Sequence, residues 1–248
     1  MTNSAFAGER LAKRIARAGI CSRRDAEKLV EEGKVKVDGK VVRSPALNVT
    51  AENAIEVSGQ KLKQAAATQL WLYYKPLHLI TTHKDPEGRP TVFDALPKSM
   101  PRVISVGRLD INSEGLLLLT NDGGLARYVE LPATGWLRRY RVRAHGTLNE
   151  KQIADLKKGL TIDGMNYGSV DVTIERKTGT NSWILVSLRE GKNREVRKLL
   201  EHFDCQVNRL IRISDGPFQI GNMQPGEVRE VPRKVLASFL GSKFPLTK

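Results

Sequence analysis

Leu116 to Leu119 are four consecutive leucines within GRLDINSEGLLLLTNDGG, residues 107–124. A short, unbroken apolar run bounded by turn residues suits a strand buried in a core, so the rest of the chain must supply elements to cover it. Arg108 and Asp110 stand just ahead of that run. A charged pair in such a place is either a solvated turn or a site.

The chain has 248 residues, enough for one large domain or for a small one joined to a medium one. Lys and Arg outnumber Asp and Glu by 41 to 27, a net charge of +14 that favours a polyanionic partner, nucleic acid first. The longest apolar run is too short to span a membrane, and no basic amphipathic helix of interfacial type stands out. The N-terminal sequence lacks the apolar centre of a signal peptide, and the two cysteines fit a reducing compartment, so a cytoplasmic protein is expected. Cys21 and Cys205 have no C-x-x-C neighbours, and the four histidines show no metal-ligand spacing. Neither a phosphate-binding glycine loop nor a dinucleotide fingerprint occurs, so neither a metal nor a cofactor is expected.

Residues 9–57 read as a compact module after a disordered N-terminus, 1–8. Leu11, Ile15 and Ala18 recur at helical spacing and Gly19 follows as a stop. A second helix starts at Ser22, with Asp25 three residues on, as in a capping box. KVKVDGKVV then alternates apolar and basic residues around Asp38-Gly39, a hairpin turn. Residues 9–43 hold eleven Lys or Arg against six Asp or Glu, among them Lys13, Arg23, Arg24 and Lys36, suited to neutralising phosphates. The same residues on a merely solvated face would be the bland alternative.

Residues 58–69, SGQKLKQAAATQ, are small and polar and read as a linker. From residue 70 to 248, strands (LWLYY, RVISV, GLLLLT, RRYRVRAHG, GSVDVTIE, SWILVSL, QVNRLIRI) mix irregularly with helices (NEKQIADLKKGL, KNREVRKLLEHF, RKVLASFLG). Hairpin-like neighbours imply mostly antiparallel pairing, hence an α+β domain. Within it GRLD, RRYRV (138–142) and EGKNREVRKLLEHF (190–203) are polar beyond the needs of a basic surface.

Two resemblances join these pieces. RLAKRIARAGICSRRDAEKLVEEGKVKVDGKVV resembles an S4 domain, a small RNA-binding fold of two helices on a short sheet. GRLDINSEGLLLLTNDG and EGKNREVRKLL resemble the pseudouridine synthases, in the branch that carries an S4 domain and modifies ribosomal RNA, with the B-type large-subunit enzymes nearest. YYKPLHLITTHKDPEGRPTVFDALP and LIRISDGPFQIGNMQPGEVREV extend the likeness over nearly the whole chain. It implies an S4 domain followed by a mixed, mostly antiparallel catalytic domain, isomerising uridine to pseudouridine in ribosomal RNA without a cofactor. It also implies roles: Asp110 as nucleophile, Tyr140 stacking on the target uracil, Arg197 as the basic partner of the aspartate. Leu210, or else Ile211, would line the base pocket, and Arg108 would stand near the gap left by the displaced base. Ser22, Arg23, Arg24 and Lys36 would face RNA. The protein is expected to act as a monomer on large-subunit RNA rather than small-subunit RNA. The other readings are a noncatalytic RNA-binding assembly factor and a glycosidase using Asp110, Glu114 and Asp122, the last two read as turn residues. Three departures from the family pattern stand out: His78 where Gly is usual, Ser113 where Thr is common, and Asp215 where an aromatic is frequent.

Overall fold

A computed structural model describes residues 8–64, 66–241, 244 and 246. All but the last residue of the segment 1–8, expected to be disordered, lies outside the described residues.

The first module runs β1 (Glu9–Arg10), α1 (Leu11–Arg17), α2 (Arg23–Glu31), β2 (Val35–Val37), β3 (Lys40–Val42), β4 (Asn48–Val49), β5 (Ile55–Val57), β6 (Gln60–Lys61). Leu11, Ile15, Ala26 and Val30 from the helices meet Val35, Val37, Ile55 and Val57 in a separate small core. Ser22 caps α2 by accepting the Asp25 amide at 3.1 Å. The Asp25 carboxylate takes the Ser22 hydroxyl at 2.7 Å, so the expected capping box is realised as a side-chain pair. Asp38 and Gly39 both adopt left-handed φ, as the hairpin turn requires.

The stretch expected as a linker from residue 58 onward begins instead as another hairpin. Ser58 (φ 49°) and Gly59 (φ 80°) turn the chain so that β6 pairs with β5, and Leu62 packs on the module's core. Its far end is also held, since the buried Thr68 hydroxyl donates to Asp122 at 2.7 Å and the Gln69 amide to Asn121 at 2.9 Å. Polarity concealed the pairing because these residues satisfy it through backbone and hydroxyl groups rather than apolar faces. Arg17 lies 3.5 Å from Asp122, which brings α1 against the second part.

The second part contains β7 (Leu70–Lys75), β8 (Ile104–Val106), β9 (Glu114–Thr120), α3 (Gly123–Glu130), β10 (Arg138–His145), α4 (Glu150–Lys158), β11 (Leu160–Ile162), β12 (Met165–Tyr167), β13 (Asp171–Thr178), β14 (Asn181–Leu188), α5 (Glu195–Glu201), β15 (Gln206–Asp215), β16 (Phe218–Gln219), β17 (Val228–Glu230) and α6 (Arg233–Leu240). Nine strands form one sheet, ordered β13-β14-β10-β15-β9-β7-β17, with β8 against β9 and β16 against β15. All its pairings are antiparallel except β9 with β15. The α+β, mostly antiparallel architecture expected from the sequence is the one observed.

The four leucines explain themselves in this sheet. Leu117 and Leu119 enter one core with Trp71, Tyr73, Val142 and Ile184, while Leu116 and Leu118 enter a second with Leu125, Val129 and Leu236. All four are wholly buried, because β9 is covered on both faces. Gly115, the second residue of that strand, has φ 107°, and a Cβ there would lie 2.4 Å from the Arg212 carbonyl oxygen. Only glycine lets β9 approach β15 so closely.

Candidate active site

The one parallel junction of the sheet is where the polar residues gather. A cleft of about 870 Å³ opens there, lined by Asp110, Arg108, Tyr140, Leu210, Arg138 and Arg212 among others. Tyr140 and Arg212 are register partners on β10 and β15, as are Val142 and Leu210, so these side chains share one sheet face. Leu210 is buried and lines the cleft, whereas Ile211 belongs to the opposite face. Arg108 is exposed at the cleft wall. Lys13, Arg23, Arg24 and Lys36 are exposed on the first module; Ser22 is half-buried and serves as the α2 cap.

The loop carrying Asp110 is pinned from several sides. The Thr81 hydroxyl donates to the Leu109 carbonyl at 2.8 Å and accepts the Leu109 amide at 3.3 Å. The Ser113 amide donates to the Asp110 carbonyl at 3.0 Å. Arg197 Nη2 donates to the Asn112 carbonyl at 2.7 Å, and Lys75 Nζ to the Ser113 carbonyl at 2.8 Å. Just ahead, Gly107 (φ 69°) donates its amide to Glu130 at the end of α3, at 2.6 Å. A side chain on so constrained a loop is held in place without a rigid element of its own.

Arg197 departs from the expected direct pairing with Asp110. Arg197 is 7% exposed; its guanidinium is committed to the carbonyls of Asn112 and Val207, and Nε has no hydrogen-bond partner among the described residues. Burial, and then Arg194 nearby, lower its pKa, while the Asp110 charge acts through space to raise it. A second cation, Lys75, is fully buried at the end of β7 and was not singled out from sequence. Burial depresses it to about 8, opposed by the negative charges of Asp110 and Glu114. The carboxylate of Asp110 thus sits in the field of two buried cations. A lysine closing an apolar strand, in YYKP, was the available signal.

Glu114, read from sequence as a turn residue, is the first residue of β9 and is buried. Arg209 Nε reaches it at 2.6 Å and the Tyr74 hydroxyl at 3.1 Å. Asp122, likewise read as a turn, caps α3 by accepting the Gly124 amide at 2.8 Å. Both carboxylates are therefore engaged in structure, away from the cleft lining. Among the described residues no group of three or more His, Cys, Asp or Glu side chains is placed to hold a metal ion.

On the far wall, EGKNRE forms a strained loop. Arg194 is left-handed (φ 52°) as it enters α5, and both Arg194 and Lys192 line the cleft. Glu195 accepts the Lys192 amide at 2.8 Å, and its other carboxyl oxygen is buried beside Glu190. Burial first, and then neighbouring Glu190, raise Glu195 to about 7. The three departures noted in the sequence also find places. His78 has φ 68°, the left-handed region glycine favours, and its amide donates to the Ile111 carbonyl at 2.9 Å. The Ser113 hydroxyl is buried without a partner among the described residues, and Asp215 lies buried between Arg138 and Arg212, 3.5 Å from each.

Comparison with known proteins places this geometry. A family model described as RNA pseudouridylate synthase matches residues 69–202, and one described as S4 domain matches residues 9–55. The chain belongs to the RNA pseudouridine synthase family, with an S4 domain ahead of the synthase domain. An uncharacterized RNA pseudouridine synthase of Rickettsia felis is 54% identical, over 92% of this chain and 99% of its own. The ribosomal large subunit pseudouridine synthase B of Yersinia pestis is 40% identical, over 86% of this chain and 69% of its own. Among solved structures, a crystal structure of a pseudouridylate synthase aligns with TM-score 0.65 and 23% identity, covering 91% of this chain and 97% of that one, a likeness of fold.

Proposed function

We propose that the chain isomerises a specific uridine to pseudouridine in ribosomal RNA, in the large subunit, with Asp110 as nucleophile. The observation that carries the assignment is the placement of Asp110 in a cleft lined also by Tyr140 and Leu210, with its charge felt by the buried cations Lys75 and Arg197. The names of the 40% identical relatives support the large subunit as substrate.

In the reaction the N-glycosidic bond breaks, the uracil turns within the pocket, C5 bonds to the sugar, and the proton on C5 is lost as one is gained at N1. Nothing is oxidised and no group is imported. A stacked uridine cannot present its sugar carbon, so it must first be flipped out, at a cost of about a few kcal/mol. Tyr140 recovers about 1–3 kcal/mol by stacking on the base, and Leu210 closes the pocket beside it. Asp110 supplies the carboxylate that attacks. Arg108, exposed at the wall, occupies the gap in the RNA. Lys13, Ser22, Arg23, Arg24 and Lys36 of the S4 module hold RNA backbone, contributing register rather than sequence reading.

Mapping pseudouridines in ribosomal RNA from a strain lacking the protein tests the assignment. Loss of one large-subunit site, restored by the wild-type chain and not by Asp110→Asn, is expected. An unchanged map contradicts it.

A further inference from the structure

RRYRVR, residues 138–143, contributes Arg138 and Tyr140 to the cleft, which leaves Arg139, Arg141 and Arg143 unexplained. Along β10 burial alternates strictly, and these three arginines and His145 are exposed on the opposite sheet face. On β7, β8 and β9 that face is covered by α3 and α6, through Leu70, Leu116, Leu118, Leu125 and Leu236. The helices that contact β13 and β15, α4 and α5, put Leu156, Val196, Leu199 and Leu200 into the core on the Tyr140 side, so among the described residues they leave this face open.

The open half is basic and carries an aromatic. Arg143 lies in register between Trp183 on β14 and Arg209 on β15. Arg176, on β13, pairs with Trp183 from the other side. The Arg141 guanidinium stands 4.9 Å from the centre of the Trp183 ring while Nε bonds Glu175 at 2.7 Å. Arg139, Arg141, Arg143 and Arg209 thus gather positive charge on one sheet face. Glu114 holds Arg209, and Glu175 holds Arg141; Arg139 and Arg143 make no ion pair among the described residues.

We propose that this open face is a second RNA-binding surface, which takes the phosphate backbone of a helix other than the one carrying the target uridine. The inference rests on the assignment of a structured RNA substrate. Tyr140 and Arg139 are adjacent yet project from opposite sides of the sheet, so RNA entering the cleft does not reach the arginine row without passing round the sheet edge. A folded RNA with two neighbouring helices grips both faces. The row and Trp183 match a sugar-phosphate backbone in charge and in planar stacking.

The test uses the full chain and an RNA duplex of arbitrary sequence, about 30 base pairs long, titrated by fluorescence anisotropy over a series of salt concentrations. Arg139→Gln with Arg143→Gln should weaken duplex binding about five- to tenfold and flatten the salt slope by about 2, with Tm unchanged. Arg139→Lys with Arg143→Lys should stay within about twofold of wild type, because backbone neutralisation needs charge rather than geometry. Pseudouridine formation at saturating unmodified ribosomal RNA should be unaffected by either pair. Duplex affinity and slope equal to wild type in the Gln variant would overturn the proposal, as would its loss of binding to phosphatidylserine vesicles with duplex binding intact. The duplex measurement needs no turnover, so a wild-type chain that forms no pseudouridine would refute the functional assignment without deciding the fate of this surface.

Discussion

Arg197 donates to the carbonyl oxygen of Asn112 at 2.7 Å and to that of Val207 at 3.1 Å, tying α5 and β15 to the loop that carries Asp110. The same guanidinium feels the aspartate's charge. One buried side chain therefore both positions the loop and sets the local field.

Replacing it separates these effects. Arg197→Met leaves two carbonyls without their donor and should destabilise the fold by about 2–4 kcal/mol, with turnover reduced at least a hundredfold. Arg197→Lys keeps the charge and one bond at most, and should recover stability more than turnover. Denaturant unfolding and single-turnover rates measure the two; equal recovery of both would show that charge alone matters.

Gly115→Ala should cost more than about 3 kcal/mol, because the new methyl would sit 2.4 Å from the Arg212 carbonyl at φ 107°. Gly164→Ala is the control, with left-handed φ 74° and nothing within 4 Å, and should cost about 1 kcal/mol. Comparable losses at the two sites in urea unfolding would refute the close-approach explanation.

The contrast shows what sequence could and could not convey. Leu116–Leu119 announced a strand buried in the core, and Asp38-Gly39 a hairpin, because each depends on local pattern. Helix α3 went unread because Gly123 and Gly124 are poor helix formers; the Asp122 cap and the burial of Leu125 and Val129 override that weakness. Glu114 looked like a turn residue since its partners, Tyr74 and Arg209, come from distant strands. The role of Arg197 as a backbone clamp depends on a contact spanning 85 positions, which no local pattern encodes.

Glu195 gives a pH signature. Its pKa is raised from 4.5 to about 7, by burial first and then by Glu190, so the native state holds a proton that the unfolded chain releases. Stability from this group is thus fully present below pH 4.5 and falls as pH rises to about 7. Glu195→Gln cannot ionise and so removes that cost. Its unfolding free energy should exceed wild type by about 1–3 kcal/mol at pH 8 and match it near pH 4.5. A difference independent of pH would contradict the raised pKa of Glu195.

Arg23→Glu with Arg24→Glu reverses two exposed charges at the start of α2. RNA affinity should drop about tenfold or more and the salt dependence should weaken, with the melting temperature held. Unaltered binding would remove the S4 helix face from the RNA interface.

The most direct measurement is pseudouridine formation by Asp110→Asn on unmodified ribosomal RNA, with RNA affinity measured in parallel. The amide is nearly isosteric with the carboxylate and cannot attack as an anion, so product should be undetectable while affinity stays within about an order of magnitude of wild type. Product formed at the wild-type rate would contradict the assignment of Asp110 as nucleophile.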